Sequence, residues 1–178
     1  MTPILRLGLA LLSLVLLAAP AGAQSYAVDR GSLLVGGSGG FSSTGTEQDE
    51  DDRTTQLSIR PSVEYFVAPG LSLGGELQYS RFSNGGDAST TFGVGPAMSY
   101  YFGGRSRRSV YPFVSVGGAY SRSGGTTGLG FDASVGALAM LADAVGVNGS
   151  LYYQNRFYEE FSDNNSFGLA VGISAFVF

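Results

Sequence analysis

Four residue types are absent from the 178-residue chain: cysteine, histidine, tryptophan and lysine. Without cysteine the chain has no disulfide scaffold, no thiolate metal site and no lipid-modified N-terminal cysteine. Without histidine it lacks the commonest general base and metal ligand. All ten basic residues are arginine, and 14 acidic residues leave a formal net charge of −4, which argues against nucleic acid as a partner. We therefore predict no catalytic residues, no cofactor and no metal site.

Long apolar runs are also scarce, and the clearest one lies at the beginning of the chain. Residues 1–23 combine an early charge, Arg6, an apolar run over 7–19 and the small residues Ala21 and Ala23 ahead of Gln24. This pattern predicts a cleavable signal peptide and an exported mature chain. Beyond it no stretch offers the ~18 uninterrupted apolar residues of a membrane helix, which excludes a helical membrane protein.

Glycine is abundant, with 28 of 178 residues, and charged residues make up only 13 %. This composition disfavours helices, and the apolar content of 44 % is too high for a disordered chain. Residues 24–31 are predicted to be a short lead-in, and residues 32–178 an all-β domain. Eight segments of this domain alternate apolar with polar or small residues. They cover residues 32–42, 54–67, 71–82, 90–102, 110–121, 128–140, 144–158 and 165–178. Each is long enough to cross a membrane as a tilted strand of ~9–11 residues.

Alternation alone does not say which face points inward, because a soluble ligand-binding barrel buries the apolar face and a membrane barrel exposes it. Three features favour the membrane barrel. Aromatic residues of the apolar face collect near the strand ends, for example Tyr65 and Tyr100 at one end and Phe92 and Phe167 at the other. The opposite face is rich in glycine and serine, and short turns alternate with longer polar connections. We therefore predict an eight-stranded antiparallel up-and-down transmembrane β-barrel.

The chain resembles the family of small bacterial outer-membrane β-barrels that includes the OmpX and OmpA transmembrane barrels. The resemblance rests on the signal peptide, the segments at 61–66, 69–75, 95–102 and 111–114, and the terminal Phe178. It implies location in the bacterial outer membrane, contact with outer-membrane lipid and insertion by the barrel-assembly machinery. In that family the terminal Phe belongs to the assembly signal, which Phe178 together with Phe176 would supply here. We expect a monomer.

The polar face carries a set of residues that we predict to form a lumenal polar network. Its members are Arg60, Glu64, Glu76, Gln78, Asp132 and Arg156. An unpaired charge in a low-dielectric lumen is costly, so these side chains should find partners. Pairing across the turn at 68–70 places Arg60 opposite Glu76 or Gln78. The network is interpreted as a polar plug, with a gated solute path through the same charges as the alternative.

A cluster of acids is predicted to lie in the first outer loop, at residues 43–53. It comprises Glu47, Asp49, Glu50, Asp51 and Asp52. The cluster lacks the alternating ligands and turn glycine of a calcium-binding EF-hand loop, which favours a solvated loop. Arg105, Arg107 and Arg108 form a basic turn at the opposite end.

The last strand changes phase. Phe167, Leu169, Val171 and Ile173 share one face, whereas Phe176 and Phe178 fall on the other. A bulge near residues 174–175 would return both to the lipid face. Otherwise the two rings turn inward and cap the floor of the barrel.

Function is inferred by analogy of fold. The leading hypothesis is a structural or surface-interaction protein that binds a surface partner through its outer loops. The alternative is a small porin-like or hydrophobe-conducting channel. The G-x-S-x-G match at residues 36–40 does not indicate a hydrolase, because the chain has no histidine to activate Ser38.

Overall fold

The computed structural model describes residues 27–46, 49–84, 87–104, 108–123, 126–158 and 164–178. Eight antiparallel strands close into one barrel in chain order, which confirms the predicted fold class. They are β1 (Leu33–Thr46), β2 (Asp49–Ala68), β3 (Leu71–Asn84), β4 (Asp87–Tyr101), β5 (Val110–Ser123), β6 (Thr126–Ala142), β7 (Val145–Tyr158) and β8 (Asn164–Val177). The predicted signal peptide at 1–23 lies outside the described residues. In the part of the chain that is described, no helix is both long and apolar enough to span a membrane.

Apolar side chains point away from the barrel and polar side chains point into it. Leu77 and Val94, paired across β3 and β4, are each more than half exposed, whereas Gln78 and Ser121 on the opposite face are buried. Aromatic pairs flank the aliphatic part of this outer surface: Tyr79 and Phe92 on one side, with ring centroids 5.2 Å apart, and Tyr100 and Phe102 on the other. A soluble barrel would show the reverse distribution.

The hairpins at the end of the barrel opposite Val28 and Phe178, which we call the outer end, are longer than predicted. Strands β1 and β2 stay paired up to Thr46 and Asp49, where the sequence predicted a loop over 43–53. Asp49, Glu50, Asp51 and Asp52 therefore lie in β2 and not in a loop, and Glu47 lies outside the described residues. Threonines at 44, 46, 54 and 55 favour the extended backbone, so pairing continues past the predicted strand ends. The next two hairpins likewise stay paired up to Asn84 with Asp87 and Ser123 with Thr126.

Glycine is needed where backbones approach closely. A Cβ on Gly95 in β4 would lie only 1.6 Å from the carbonyl oxygen of Gly118 in the neighbouring strand β5. Gly70 closes the turn between β2 and β3 with a φ of 80°, which side chains rarely tolerate. These positions show why a narrow barrel has so much glycine.

The inner end of the barrel, where the chain enters and leaves, is filled by an apolar cluster that we call the floor. Its buried members are Ala27, Val28, Leu34, Phe66, Tyr101, Tyr111, Phe113, Leu138 and Phe176, and Met140 and Phe178 pack against them. The lead-in contributes Val28, which is fully buried and whose carbonyl oxygen accepts a 2.8 Å hydrogen bond from the Gly70 amide.

The floor resolves the phase of the last strand. Pairing of β8 with β1 and with β7 runs in unbroken register from Val171 to Ala175, so there is no bulge near 174–175. Phe176 instead turns inward and packs near Phe66, with ring centroids 6.4 Å apart. The bulge alternative is wrong because burial of the ring in the floor replaces exposure to lipid.

Candidate functional site

A group of hydrogen-bonded side chains crosses the lumen above the floor, and we call it the polar layer. It consists of Arg60, Glu76, Gln78, Tyr152, Gln154 and Arg156. Gln78 is its centre: the side-chain oxygen accepts hydrogen bonds from Arg156 Nη2 at 2.5 Å and from Gln154 Nε2 at 3.2 Å. The Gln78 amide nitrogen donates to Glu76 Oε1. One buried amide thus links an arginine of β7 to a carboxylate of β3.

Arg60 lies on β2 and contacts the rest of the polar layer through two residues of β7, Tyr152 and Gln154. The register pairs Ile59 with Tyr79 and Ser62 with Glu76, which places Arg60 across from Gln78 on the neighbouring strand. Its Nη2 atom nevertheless donates to Gln154 Oε1 at 3.5 Å, and its guanidinium lies 4.7 Å from the centroid of the Tyr152 ring. The arginine therefore reaches across the lumen and stacks on an aromatic face.

The other two predicted network residues lie apart from these hydrogen bonds. The Glu64 carboxylate accepts a hydrogen bond from the Ser72 hydroxyl, close to the floor. Asp132 is only 9 % exposed and lies against Gly117, and its Oδ1 has no hydrogen-bond partner among the described residues. The structure thus joins four of the six predicted residues by hydrogen bonds. Glu64 lies nearer the floor. Asp132 lies beside the layer, opposite Gln154 in the pairing of β6 with β7, where the charges of Arg60 and Arg156 act on it.

Two cavities lie on either side of the polar layer. The outer cavity has a volume of about 500 Å³, and the inner cavity has about 100 Å³. Arg60 and Tyr152 line both. The charged side chains are distributed unevenly between the two cavities. Glu64, Glu76 and Asp132 line the inner cavity together with Arg60, whereas the described lining of the outer cavity contains Arg60 and Arg156 and no carboxylate.

The two charged clusters predicted outside the lumen lie mostly among side chains that the structure does not describe. The side chains of residues 42–54 are outside the description, as are Arg105 and Arg107 of the predicted basic turn. Arg108 is described, and its backbone amide donates a 2.9 Å hydrogen bond to the Tyr111 hydroxyl. Within the described ranges, no group of three or more acidic side chains is arranged to hold a metal ion.

Sequence reasoning missed Gln154 and Tyr152. Gln154 shares the inward phase of Arg156, and this was the one local signal for it. Its partner Gln78 lies 76 residues away on a strand that is not its neighbour, and alternation within strands carries no information about such contacts.

A family model described as the outer membrane protein beta-barrel domain matches residues 9–174. The chain belongs to this outer-membrane β-barrel family. It is therefore a transmembrane barrel of the outer membrane, and its exposed apolar belt faces lipid. No curated protein sequence matches the chain.

Solved structures share the fold of this outer-membrane barrel. Neisserial surface protein A has a TM-score of 0.60 at 15 % identity, and the match covers 81 % of this chain and 96 % of that one. OprG from Pseudomonas aeruginosa has a TM-score of 0.57 at 11 % identity, with coverage of 87 % and 99 %. The N-terminal barrel of OprF from the same organism has a TM-score of 0.53 at 15 % identity, with coverage of 83 % and 98 %. At these identities the likeness concerns the fold alone.

Proposed function

We propose that this outer-membrane protein is a closed barrel with a structural or surface-interaction role, which presents its outer hairpins to a partner outside the cell. The observation that carries the proposal is the floor. Val28 and Phe66 are fully buried at the inner end of the lumen, and Tyr101 and Phe176 are nearly so. A plug made mostly of apolar side chains gives an ion few polar partners, and an unsolvated charge is costly.

The outer hairpins support the surface role. Strand β2 begins at Asp49, and its first four residues are all acidic. Asp49 pairs with Thr46, so the backbone at the start of this acidic segment is ordered before a partner binds, which lowers the entropic cost of binding. We assign no catalytic role to the barrel.

The floor implies a test by conductance in planar lipid bilayers. The unmodified protein should show no steady single-channel steps, because the lumen is closed at the inner end. A variant with Phe66→Ala and Phe176→Ala should show steps, because it removes two rings from the plug. Steady steps from the unmodified protein would overturn the closed-barrel proposal.

The second candidate is a small channel. It is favoured by the two cavities, which lie in line along the lumen and share Arg60 and Tyr152 as lining. Conduction would require the floor to open as well as the polar layer. In this case the unmodified protein and the double alanine variant would both conduct.

We further propose that Phe176 and Phe178 act in assembly. Phe178 is the terminal residue, and in this structure it packs against the floor while Phe176 is buried within it. The assembly role and the packing role separate experimentally, because refolding into detergent needs no assembly machinery. Phe178→Ala should lower the amount of barrel in the outer membrane of cells more than it lowers refolding yield in detergent.

A further inference from the structure

The outer cavity has the composition of a binding site for a polar anion. Its volume of about 500 Å³ lies within the range of small-molecule sites. Among the described residues, two arginines line it and no carboxylate does. Glu76 and Asp132, whose charges partly offset those of the arginines, line the inner cavity and not the outer one.

The arginines have unused donor capacity. Arg156 donates from Nη2 to the neutral Gln78 amide. Its Nη1 is buried and has no hydrogen-bond partner among the described residues, so the side chain must shift to present this atom to a ligand. Arg60 makes one long hydrogen bond of 3.5 Å, also to a neutral amide. A guanidinium binds a carboxylate or phosphate more strongly than it binds an amide, because charge assistance roughly doubles the strength of the bond.

The rest of the lining is suited to a hydroxylated ligand. It contains five serines, two threonines and three glutamines, each of which can donate and accept hydrogen bonds. Ser89, Ser123, Thr126 and Ser166 lie near the outer ends of their strands, and the polar layer lies at the opposite end of the cavity. A ligand that enters from outside would therefore meet hydroxyl groups first and arginines last.

We propose that the outer cavity binds a small, free anionic sugar, such as a sugar acid or sugar phosphate. Arg156 and Arg60 hold its acidic group, and the serine, threonine and glutamine side chains hold its hydroxyl groups. The proposal goes beyond the closed-barrel function and does not depend on it, because equilibrium binding in the cavity is independent of whether the lumen conducts.

Calorimetric titration of the full mature protein in an uncharged polyoxyethylene detergent tests this, with D-glucuronate and D-glucose as probes. Glucuronate should bind about tenfold or more tightly than glucose, the equivalent of one charge-assisted hydrogen bond. Arg156→Gln should remove this preference. The matched control is Arg81→Gln, an exposed arginine on the outward face of β3, which should leave both affinities unchanged.

Two results would overturn the site: equal binding of the two probes, or an equal loss in both arginine variants. Should Arg156→Gln fail to fold, the unmodified protein still decides the matter by NMR. Glucuronate should shift the side-chain amide signals of Gln78 and Gln154 and leave that of Asn148, which lines the inner cavity, in place. Phosphatidylglycerol added to the micelles tests whether the natural ligand is a lipid headgroup or a free solute. Displacement of glucuronate by this lipid would contradict the proposal of a free ligand.

Discussion

The Nη2 atom of Arg156 donates a 2.5 Å hydrogen bond to the side-chain oxygen of Gln78, which lies on the opposite side of the lumen. Strands β3 and β7 are separated by three strands in either direction around the barrel, so this contact braces the wall across its diameter. The same glutamine donates to Glu76 and accepts from Gln154. Gln78 is therefore the residue on which the polar layer depends.

Gln78→Ala should destabilise the barrel. The change removes three hydrogen bonds and leaves buried polar groups without partners, at a cost of about 1–3 kcal/mol for each group left unsatisfied. Lumenal water lowers this cost. Urea unfolding in lipid vesicles measures the difference, and Gln56→Ala is the control because Gln56 is exposed in the outer cavity. Equal effects of the two substitutions would show that the layer does not brace the barrel.

A pair of glycines tests the close packing of the strands. Gly95→Ala should prevent folding, because the new Cβ would overlap the Gly118 carbonyl oxygen. The control is Gly149→Ala in β7, where a Cβ has no neighbour within 4 Å. Gly149→Ala should be neutral or slightly stabilising, by about 0.4–1 kcal/mol through the unfolded state. Heat-modifiable migration on gels reports folding, and normal migration of the Gly95 variant would contradict the strand geometry.

Two phenylalanines of β8 allow its two faces to be compared, because Phe176 lies in the floor and Phe167 lies on the lipid face. Phe176→Ala should cost about 3–5 kcal/mol of unfolding free energy, the usual range for a buried ring. Phe176 is 4 % exposed and packs near Phe66, whereas Phe167 on the same strand is 73 % exposed. Phe167→Ala removes ring surface that mostly faces lipid, so it should cost less in vesicle unfolding experiments. A larger loss in the Phe167 variant would mean that Phe176 faces lipid.

The fold was predictable from the sequence because its signals are local. Alternation within β2 and the turn at Gly70 depend on neighbouring residues. The positions of Tyr79 and Phe92 near the ends of their strands also follow from the local sequence. The same alternation predicted that the charged side chains point into the lumen. Extension of the outer hairpins was missed because charge suggested a loop where backbone pairing continues.

The floor and the polar layer were harder to predict because they join parts of the chain that do not neighbour each other in the sheet. Phe66, Tyr101 and Phe176 lie on the mostly polar face of their strands. Their proximity depends on how the strands are staggered around the closed barrel. The contact of Gln78 with Gln154 likewise exists only because the barrel closes at that diameter.

The loss of unfolding free energy caused by a charge on the lipid-facing surface should depend strongly on the depth of that charge in the membrane. Leu77 lies on the outward face of β3, between the Tyr79–Phe92 pair and the Tyr100–Phe102 pair. Leu77→Arg should cost about 2–4 kcal/mol if the side chain lies near the bilayer midplane. Leu141, at the inner end of β6, is more exposed still, and Leu141→Arg should cost about 0–1 kcal/mol because it lies near the interface. Unfolding in vesicles measures both, and equal costs would place the belt elsewhere on the strands.

The absence of cysteine allows the orientation of the barrel to be tested in living cells, because a single introduced thiol is the only one in the chain. Arg122 is exposed at the outer end of β5, and Asp143 is exposed at the turn between β6 and β7 at the inner end. In intact cells Arg122→Cys should react with a membrane-impermeant maleimide and Asp143→Cys should not, because the outer membrane protects the inner end. After permeabilisation both should react, which controls for the reactivity of each thiol. The reverse pattern in intact cells would place the acidic β1–β2 hairpin in the periplasm and would remove the basis for a role at the cell surface.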